Sequence, residues 1–368
     1  MVNNQDTKNY FNSLKIGIED AIQNNLPRNP NVDWIKKNFP GYPLLTINDN
    51  WAKAFSKPFY DLFDRGGKRF RPILACLTYD AIIDSKNKEN KKTIIRNDPL
   101  KYNLSSIIEL IHTGTLIIDD IEDNSNERRG GKPIHTLYSL DFAINYGYNL
   151  VSYVNQIIIE NEFIPDKMKN ELLGKLSREM ATIHVGQHMD IVMSNRKDYE
   201  NYTIEDYITM CKGKTGSLYR LSTAIGGILS DSTNDELKTL DEITDNIAIA
   251  LQIKNDYLNL KPSNGENEKM GEDIVTGKYT YFVDIVKTHG AKASKNELFH
   301  ILRKKENSKD EIYKAINIIN DYGALESGIN KVKSYIESSK EMLNTLPYND
   351  LYQKRFNFIL DSAMNALK

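Results

Sequence analysis

An all-α fold, a single large helical bundle, is predicted by three observations. Apolar residues recur at helical spacing through Ile107, Ile108, Leu110, Ile111, Leu116, Ile117 and Ile118, and again through Ile243, Ile247, Ile249, Ala250, Leu251 and Ile253. No series of alternating apolar and polar residues marks a strand. Polar interruptions at 84–103, 195–201, 231–235 and 262–269 divide the chain into pieces of helical length.

In chain order, residues 1–45 carry Pro27, Pro30, Pro40 and Pro43 and stand apart as an N-terminal extension. Residues 46–368 form the helical domain, whose last part, 294–368, continues as amphipathic helices. No internal repeat of fixed period is evident. All-helical folds of this kind run as one large unit, so 368 residues do not force two domains.

Composition narrows the function classes. Hydrophobic content of 40% supplies a sizeable core, and a net charge of −2 argues against a general nucleic-acid surface. Cys76 and Cys211 lie far apart without metal-ligand spacing, which suits a reducing compartment and provides neither a zinc site nor a disulfide framework. Mean hydropathy is −0.52, and no apolar run reaches the roughly 18 to 20 residues that span a bilayer. The start Met1-Val2-Asn3-Asn4 lacks the Gly for myristoylation and no apolar signal core follows, so a soluble, cytoplasmic protein is expected.

Two acidic clusters carry the chemical signal: Asp119-Asp120-Ile121-Glu122-Asp123 and Asn255-Asp256-Tyr257-Leu258-Asn259, each closing an apolar helical run. On a helix Asp119 and Asp123 project from one face about a turn apart, so both carboxylates can bridge the same hard cations. Arg128 and Arg129 follow and offer rigid forked donors to phosphate oxygens. A lone acidic cluster of this kind is more often a solvated helix end. Company decides the matter. The chain also holds, in order, Gly66-Gly67-Lys68-Arg69-Phe70-Arg71-Pro72, Glu109-Leu110-Ile111-His112, Gly186-Gln187-His188-Met189-Asp190, Lys214-Thr215-Gly216, Gln252-Ile253-Lys254-Asn255-Asp256-Tyr257 and Gly271-Glu272-Asp273-Ile274-Val275-Thr276-Gly277-Lys278.

In these motifs, their order and their spacing, the chain from about Asp61 to Tyr281 resembles the trans-isoprenyl diphosphate synthases of the farnesyl and geranylgeranyl type. The resemblance implies a helical bundle of the isoprenoid synthase type with a central diphosphate and Mg²⁺ cavity, acting as a homodimer. It implies head-to-tail condensation of isopentenyl diphosphate with the allylic dimethylallyl, geranyl and farnesyl diphosphates. Three Mg²⁺ ions per active site would be held by Asp119, Asp123 and Asp256, with Asn255 a further candidate. Arg128, Lys214, Thr215, Gln252, Lys269 and Lys278 would surround the allylic diphosphate, and Lys68, Arg71, His112 and Arg129 the homoallylic one. Asp119, Asp123, Arg128, Lys214 and Asp256 are the expected catalytic set.

Residue chemistry agrees. Gly66 and Gly67 let backbone approach closely, and Lys68 and Arg71 present two cations from one loop-to-helix junction. His112 lies seven residues before Asp119, two helical turns back on the same face. The chain departs from the family pattern at Asn255, where an Asp is usual, so the third metal loses a negative ligand unless Asp256 takes over. It departs again at Phe282, where Pro is common, a difference expected to matter to packing.

Short-product relatives carry bulky aromatics four and five positions before the first Asp. Here Thr115 and Gly114 stand there, which favours a twenty-carbon geranylgeranyl product with fifteen-carbon farnesyl as intermediate or co-product. Three alternatives stand beside this reading: a farnesyl diphosphate synthase, a terpene cyclase, and a noncatalytic subunit of a heteromeric synthase. The cyclase would have no use for the second diphosphate pocket of Lys68, Arg71, His112 and Arg129. Only Asn255 speaks for the noncatalytic subunit.

Overall fold

The computed structural model describes residues 4–39, 48–90, 99–261, 270–365 and 367. These residues are all-α, and no strand occurs among them beyond one isolated bridge between Arg128 and Gly131. The helices are α1 Asn4–Asn25, α2 Val32–Asn38, α3 Asp49–Phe63, α4 Phe70–Asn90, α5 Pro99–Glu122, α6 Ile134–Leu137, α7 Leu140–Ile159, α8 Asp166–Arg196, α9 Ile204–Cys211, α10 Ser217–Leu229, α11 Asn234–Asn259, α12 Glu272–Thr276, α13 Tyr281–His289, α14 Lys292–Arg303, α15 Lys309–Asp321, α16 Ala324–Asn344 and α17 Asp350–Ser362. A π-helical turn, Lys212–Gly216, joins α9 to α10. None of the described helices is long and apolar enough to cross a membrane.

The chain divides into two compact units. The first comprises Met1–Ser177, Leu221–Leu237 and Tyr348–Tyr352; the second comprises Arg178–Arg220, Lys238–Pro347 and Gln353–Lys368.

Helix α5 is the axis of the first unit, because Leu104, Ile107, Ile108, Leu110, Ile111 and Ile117 are all buried. An apolar surface that wide needs cover on several sides. Helix α7 lies closest, at a glycine crossing: a Cβ on Gly114 would sit 2.7 Å from the Gly147 carbonyl oxygen, and one on Gly147 would meet the Ile118 side chain at 2.9 Å. Only residues without a Cβ allow that approach. Helix α1 lays the buried stripe Phe11, Leu14, Ile18, Ala21 and Ile22 into the same unit. Its Tyr10 hydroxyl donates to Asp80 Oδ2 at 2.7 Å, and the buried Lys101 ammonium holds Asp80 Oδ1 at 2.6 Å. Thus most of the segment set apart by its prolines begins as a helix within the first unit's core.

In the second unit α11 buries Ile243, Ile247, Ile249, Ala250 and Ile253. Phe282 of α13 is fully buried, and its ring fills the space that a Cβ on Gly328 of α16 would need. Both cysteines are buried free thiols, and burial raises the pKa of each.

Candidate active site

In the first unit, the turn between α3 and α4 is shaped by glycine. Gly66 and Gly67 have φ of +100° and +143°, and Arg69 itself is left-handed at +54°. The turn leaves Lys68 exposed and starts α4 so that Arg71 reaches α5, where its Nη1 lies 3.4 Å from His112 Nε2. His112 is half-buried, and its pKa is held well below the ordinary histidine value. Burial is the main cause, followed by the cationic groups of Arg71, Arg129, Arg128 and Arg69. A neutral imidazole amid four guanidiniums marks an electropositive pocket. Arg129, left-handed at φ +51°, has its own pKa lowered by burial, which Glu109 opposes and Arg69, Arg128 and Arg71 reinforce. An anion placed there would relieve both groups.

The first acidic cluster closes α5. The helix ends at Glu122, but the Asp123 N–H still donates to the Asp119 carbonyl at 2.9 Å, so the turn that sets the two carboxylates on one face is complete. Asp119 is partly exposed and Asp123 exposed. Asp120 is the inner member of the cluster. It is buried, and its Oδ1 accepts from Arg128 Nε at 2.6 Å while Arg128 Nη2 also reaches Asp119 Oδ2 at 3.3 Å. Asp120 therefore anchors Arg128. Arg65, just before the glycines, holds the arginine turn from outside by donating to the carbonyls of Arg128 and Lys132, each at 2.9 Å.

The donor set suits a hard cation, since Asp119 and Asp123 offer oxygens only and keep surface open to solvent. Among the described residues no three His, Cys, Asp or Glu side chains converge as a ready cage. Mg²⁺ held here would complete its shell with water and substrate phosphate, as this ion usually does.

The second unit holds the other motifs. Gly186 of α8 lies against the π-turn so tightly that a Cβ there would collide with the Lys214 backbone nitrogen. This close approach presents Lys214, whose Nζ lies 2.6 Å from Asp190 Oδ2, beside half-buried Thr215. A π-turn inside a helical run is a frequent mark of a functional site. Arg220 ties the turn down, donating to the Lys212 carbonyl at 3.1 Å while gripping Glu179.

On α11, Asn255 is exposed and Asp256 is buried. Asp256 Oδ2 accepts from the Tyr207 hydroxyl at 2.7 Å and Oδ1 from Gln252 Nε2 at 2.9 Å. Burial, and then the neighbouring Asp273 carboxylate, push the Asp256 pKa well above the usual carboxylate range. Gln252 is thus occupied in holding Asp256. Asn259 accepts from the Asp273 backbone at 3.1 Å, and Lys278 Nζ lies 3.9 Å from Asp273 Oδ1. Lys269 lies outside the described residues.

Of the two residues read as chain-length determinants, Gly114 is buried at the α5–α7 crossing and its missing side chain is what lets the helices touch. Thr115 is half-buried and its hydroxyl donates to the His112 carbonyl at 3.0 Å. The open space read from Gly114 is taken up by helix packing, so that reading passes to Thr115 alone.

Several partners were invisible in the motifs. Tyr207 lies 49 residues before Asp256 and belongs to no motif. Asp190, Arg69 and Glu109 stand inside quoted motifs without an assigned role, and their charge beside a cationic site was the available signal.

Residues 52–319 match the sequence profile of the family described as polyprenyl synthetase. The chain belongs to this family. It is a prenyltransferase that elongates prenyl chains. It is 33% identical over 288 residues to a short chain isoprenyl diphosphate synthase from Methanocaldococcus jannaschii, covering 75% of this chain and 79% of that one. It is 28% identical to a geranylgeranyl diphosphate synthase from Saccharolobus solfataricus across the whole of both chains. Among solved structures, a geranylgeranyl pyrophosphate synthetase from Pyrococcus horikoshii superposes with a TM-score of 0.78 at 24% identity, covering 97% of this chain and 98% of that one. A decaprenyl diphosphate synthase from Rhodobacter capsulatus gives 0.80 at 19% identity, with 98% of each covered. At these identities the structural likeness establishes the family's all-α fold.

Proposed function

We propose that the protein condenses isopentenyl diphosphate with dimethylallyl, geranyl and farnesyl diphosphates and releases mainly geranylgeranyl diphosphate, with farnesyl diphosphate as intermediate or co-product. The observation that carries this is the pocket around His112, where Arg71 and Arg129 face an imidazole kept neutral and Lys68 stands exposed on the adjoining turn. Such a pocket offers forked cationic donors to a bound diphosphate. The whole-length likeness to a geranylgeranyl diphosphate synthase supports the product.

Asp119 and Asp123 would hold Mg²⁺, with Asp256 the candidate ligand of the second cluster and three ions in all. Bound Mg²⁺ supplies Lewis-acid neutralisation of a leaving diphosphate. Arg128, fixed by Asp120, and Lys214, Thr215 and Lys278 would hold that leaving group, Lys269 being assigned here by its motif alone. As the allylic carbon–oxygen bond breaks, these fixed cations meet the charge that develops on oxygen without reorganising. The isopentenyl double bond then forms the new carbon–carbon bond, and the adjoining carbon gives up a proton to an oxygen of the departed diphosphate. Lys68, Arg71, His112 and Arg129 orient the isopentenyl diphosphate throughout, while its own carbon–oxygen bond stays intact because breaking it would give no resonance-stabilised allylic cation.

A homodimer is part of this reading. Leu140, Ile144 and Tyr148 are exposed at four-residue spacing on α7, an apolar stripe that a second copy would cover. Residues 46–368 stand as the synthase domain and 1–45 as an N-terminal extension whose helix α1 packs into the first unit's core, and the protein acts in the cytoplasm.

Purified protein with Mg²⁺, labelled isopentenyl diphosphate and each allylic primer tests the function directly. Chromatography of dephosphorylated products should show mainly geranylgeraniol; absence of any condensation would leave the noncatalytic reading. Arg129→Ala should mainly raise the KM for isopentenyl diphosphate and Arg128→Ala that for the allylic substrate, each by about 1.5 to 3 kcal/mol. Arg128→Ala also leaves buried Asp120 without its partner, so a lower melting temperature should accompany it. Equal effects of either variant on both substrates would count against the division. Asn255 is exposed, so Asn255→Asp adds a carboxylate at little folding cost. Titration should then show a lower Mg²⁺ concentration at half-maximal rate; an unchanged curve would leave the metal role with Asp256.

A further inference from the structure

Of the four arginines around His112, Arg69 is buried while Arg71, Arg128 and Arg129 are half-buried. The Arg69 side chain is 3% exposed, and its Nη1 lies 2.9 Å from Oε1 of the equally buried Glu109. The same Nη1 donates to the Gly66 carbonyl at 3.1 Å, Nη2 donates to the Phe63 carbonyl at 2.9 Å, and the guanidinium stacks over the Phe63 ring at 3.7 Å. Glu19 of α1 adds a second carboxylate 3.5 Å from Nε. The planar fork thus closes the end of α3 and spans the turn back to Gly66, which a single ammonium point charge cannot do. The Gly66 carbonyl also accepts from Arg129 Nη1 at 2.8 Å, so one backbone oxygen fastens both the glycine turn and Arg129. A Cβ on Gly67 would collide with Arg69 Nη1, so the glycine leaves room for the fork.

We propose that Arg69 is a positioning residue of the isopentenyl diphosphate subsite: a strut neutralised by Glu109 and Glu19 that sets the Gly66–Gly67–Lys68 turn and, through the Gly66 carbonyl, the aim of Arg129. It rests on the reading that Lys68, Arg71, His112 and Arg129 hold that substrate. The pairing matters as much as the reach. With its charge opposed by two carboxylates, Arg69 bears on the phosphate chiefly through geometry, because it sets where the phosphate-facing cations stand. Glu19 also gives helix α1 a bearing on substrate binding, from a segment that carries none of the family motifs.

Steady-state kinetics of Arg69→Lys and Arg69→Gln test it, with Arg129→Ala alongside. Arg69→Lys keeps a cation opposite Glu109 but cannot reach both carbonyls. It should melt near the wild-type temperature, raise the isopentenyl diphosphate KM about tenfold, and leave kcat and the allylic KM within about threefold, the signature of lost uniform binding of one substrate. Arg69→Gln should show a larger rise in the same constant. If the Gln variant does not fold, the Lys variant decides alone. An isopentenyl KM unchanged in Arg69→Lys, or both KM values raised together, would overturn the positioning role. An unchanged isopentenyl KM in Arg129→Ala would overturn the subsite assignment itself, and this proposal with it.

Discussion

Asp119→Ala or Asp123→Ala should lose condensation activity by about three orders of magnitude or more at any practical Mg²⁺ concentration, with the helical fold retained. The activity loss follows if these carboxylates carry the cation that makes diphosphate a leaving group. Stability should hold because Asp123 is exposed and Asp119 makes a partly exposed ion pair with Arg128, contacts of the kind that contribute about 0 to 1 kcal/mol. Parallel turnover assays and circular dichroism melts check both halves. Near-wild-type turnover in either variant would remove that residue from the metal site, and a collapsed melt would show that its role is structural.

Gly114→Phe and Thr115→Phe, made separately, should fail and succeed in different ways. A ring at Gly114 must displace the Gly147 carbonyl, which already lies 2.7 Å from where a Cβ would be, together with Leu150 and Val151 of α7. Backbone cannot step aside as a flexible side chain can, so the cost should be about 3 kcal/mol or more. A markedly lower denaturation midpoint should appear, with little usable activity. Thr115→Phe loses one hydroxyl bond to the His112 carbonyl and gains a ring at a half-buried position. If the prenyl tail passes there, condensation persists and the main product shortens from geranylgeranyl to farnesyl. An unchanged product ratio in a folded, active Thr115→Phe enzyme would place the end of the tail elsewhere. A Gly114→Phe enzyme as stable as wild type would refute the crossing as a constraint.

Local periodicity and motif order made much of this molecule legible. Most buried positions of α11 recur every three or four residues and residues 104–111 of α5 are buried throughout; both patterns follow from apolar residues close in sequence, and no tertiary contact is needed to read them. The i, i+4 relation of Asp119 and Asp123 is equally local, as is the glycine turn that presents Lys68 and Arg71. Residue types with few other uses, such as paired arginines after an acidic helix end, then pointed to diphosphate.

Which carboxylate faces what was decided by contacts between distant parts of the chain. Asp119 and Asp120 are adjacent and chemically identical, yet one stays partly open while the other is buried against Arg128. Asp256 has Tyr207 across from it because α9 packs there, and nothing near Asp256 in sequence announces that partner. Gly114 read as open space when only its small size was known, and proved to be the point where two helices touch. The sequence by itself determined an all-helical chain of the polyprenyl synthetase family and where its charged motifs lie. Only the tertiary structure decided which of those charges hold each other, because burial and pairing belong to residues brought together from 40 or 50 positions apart, such as Arg69 with Glu109 and Tyr207 with Asp256.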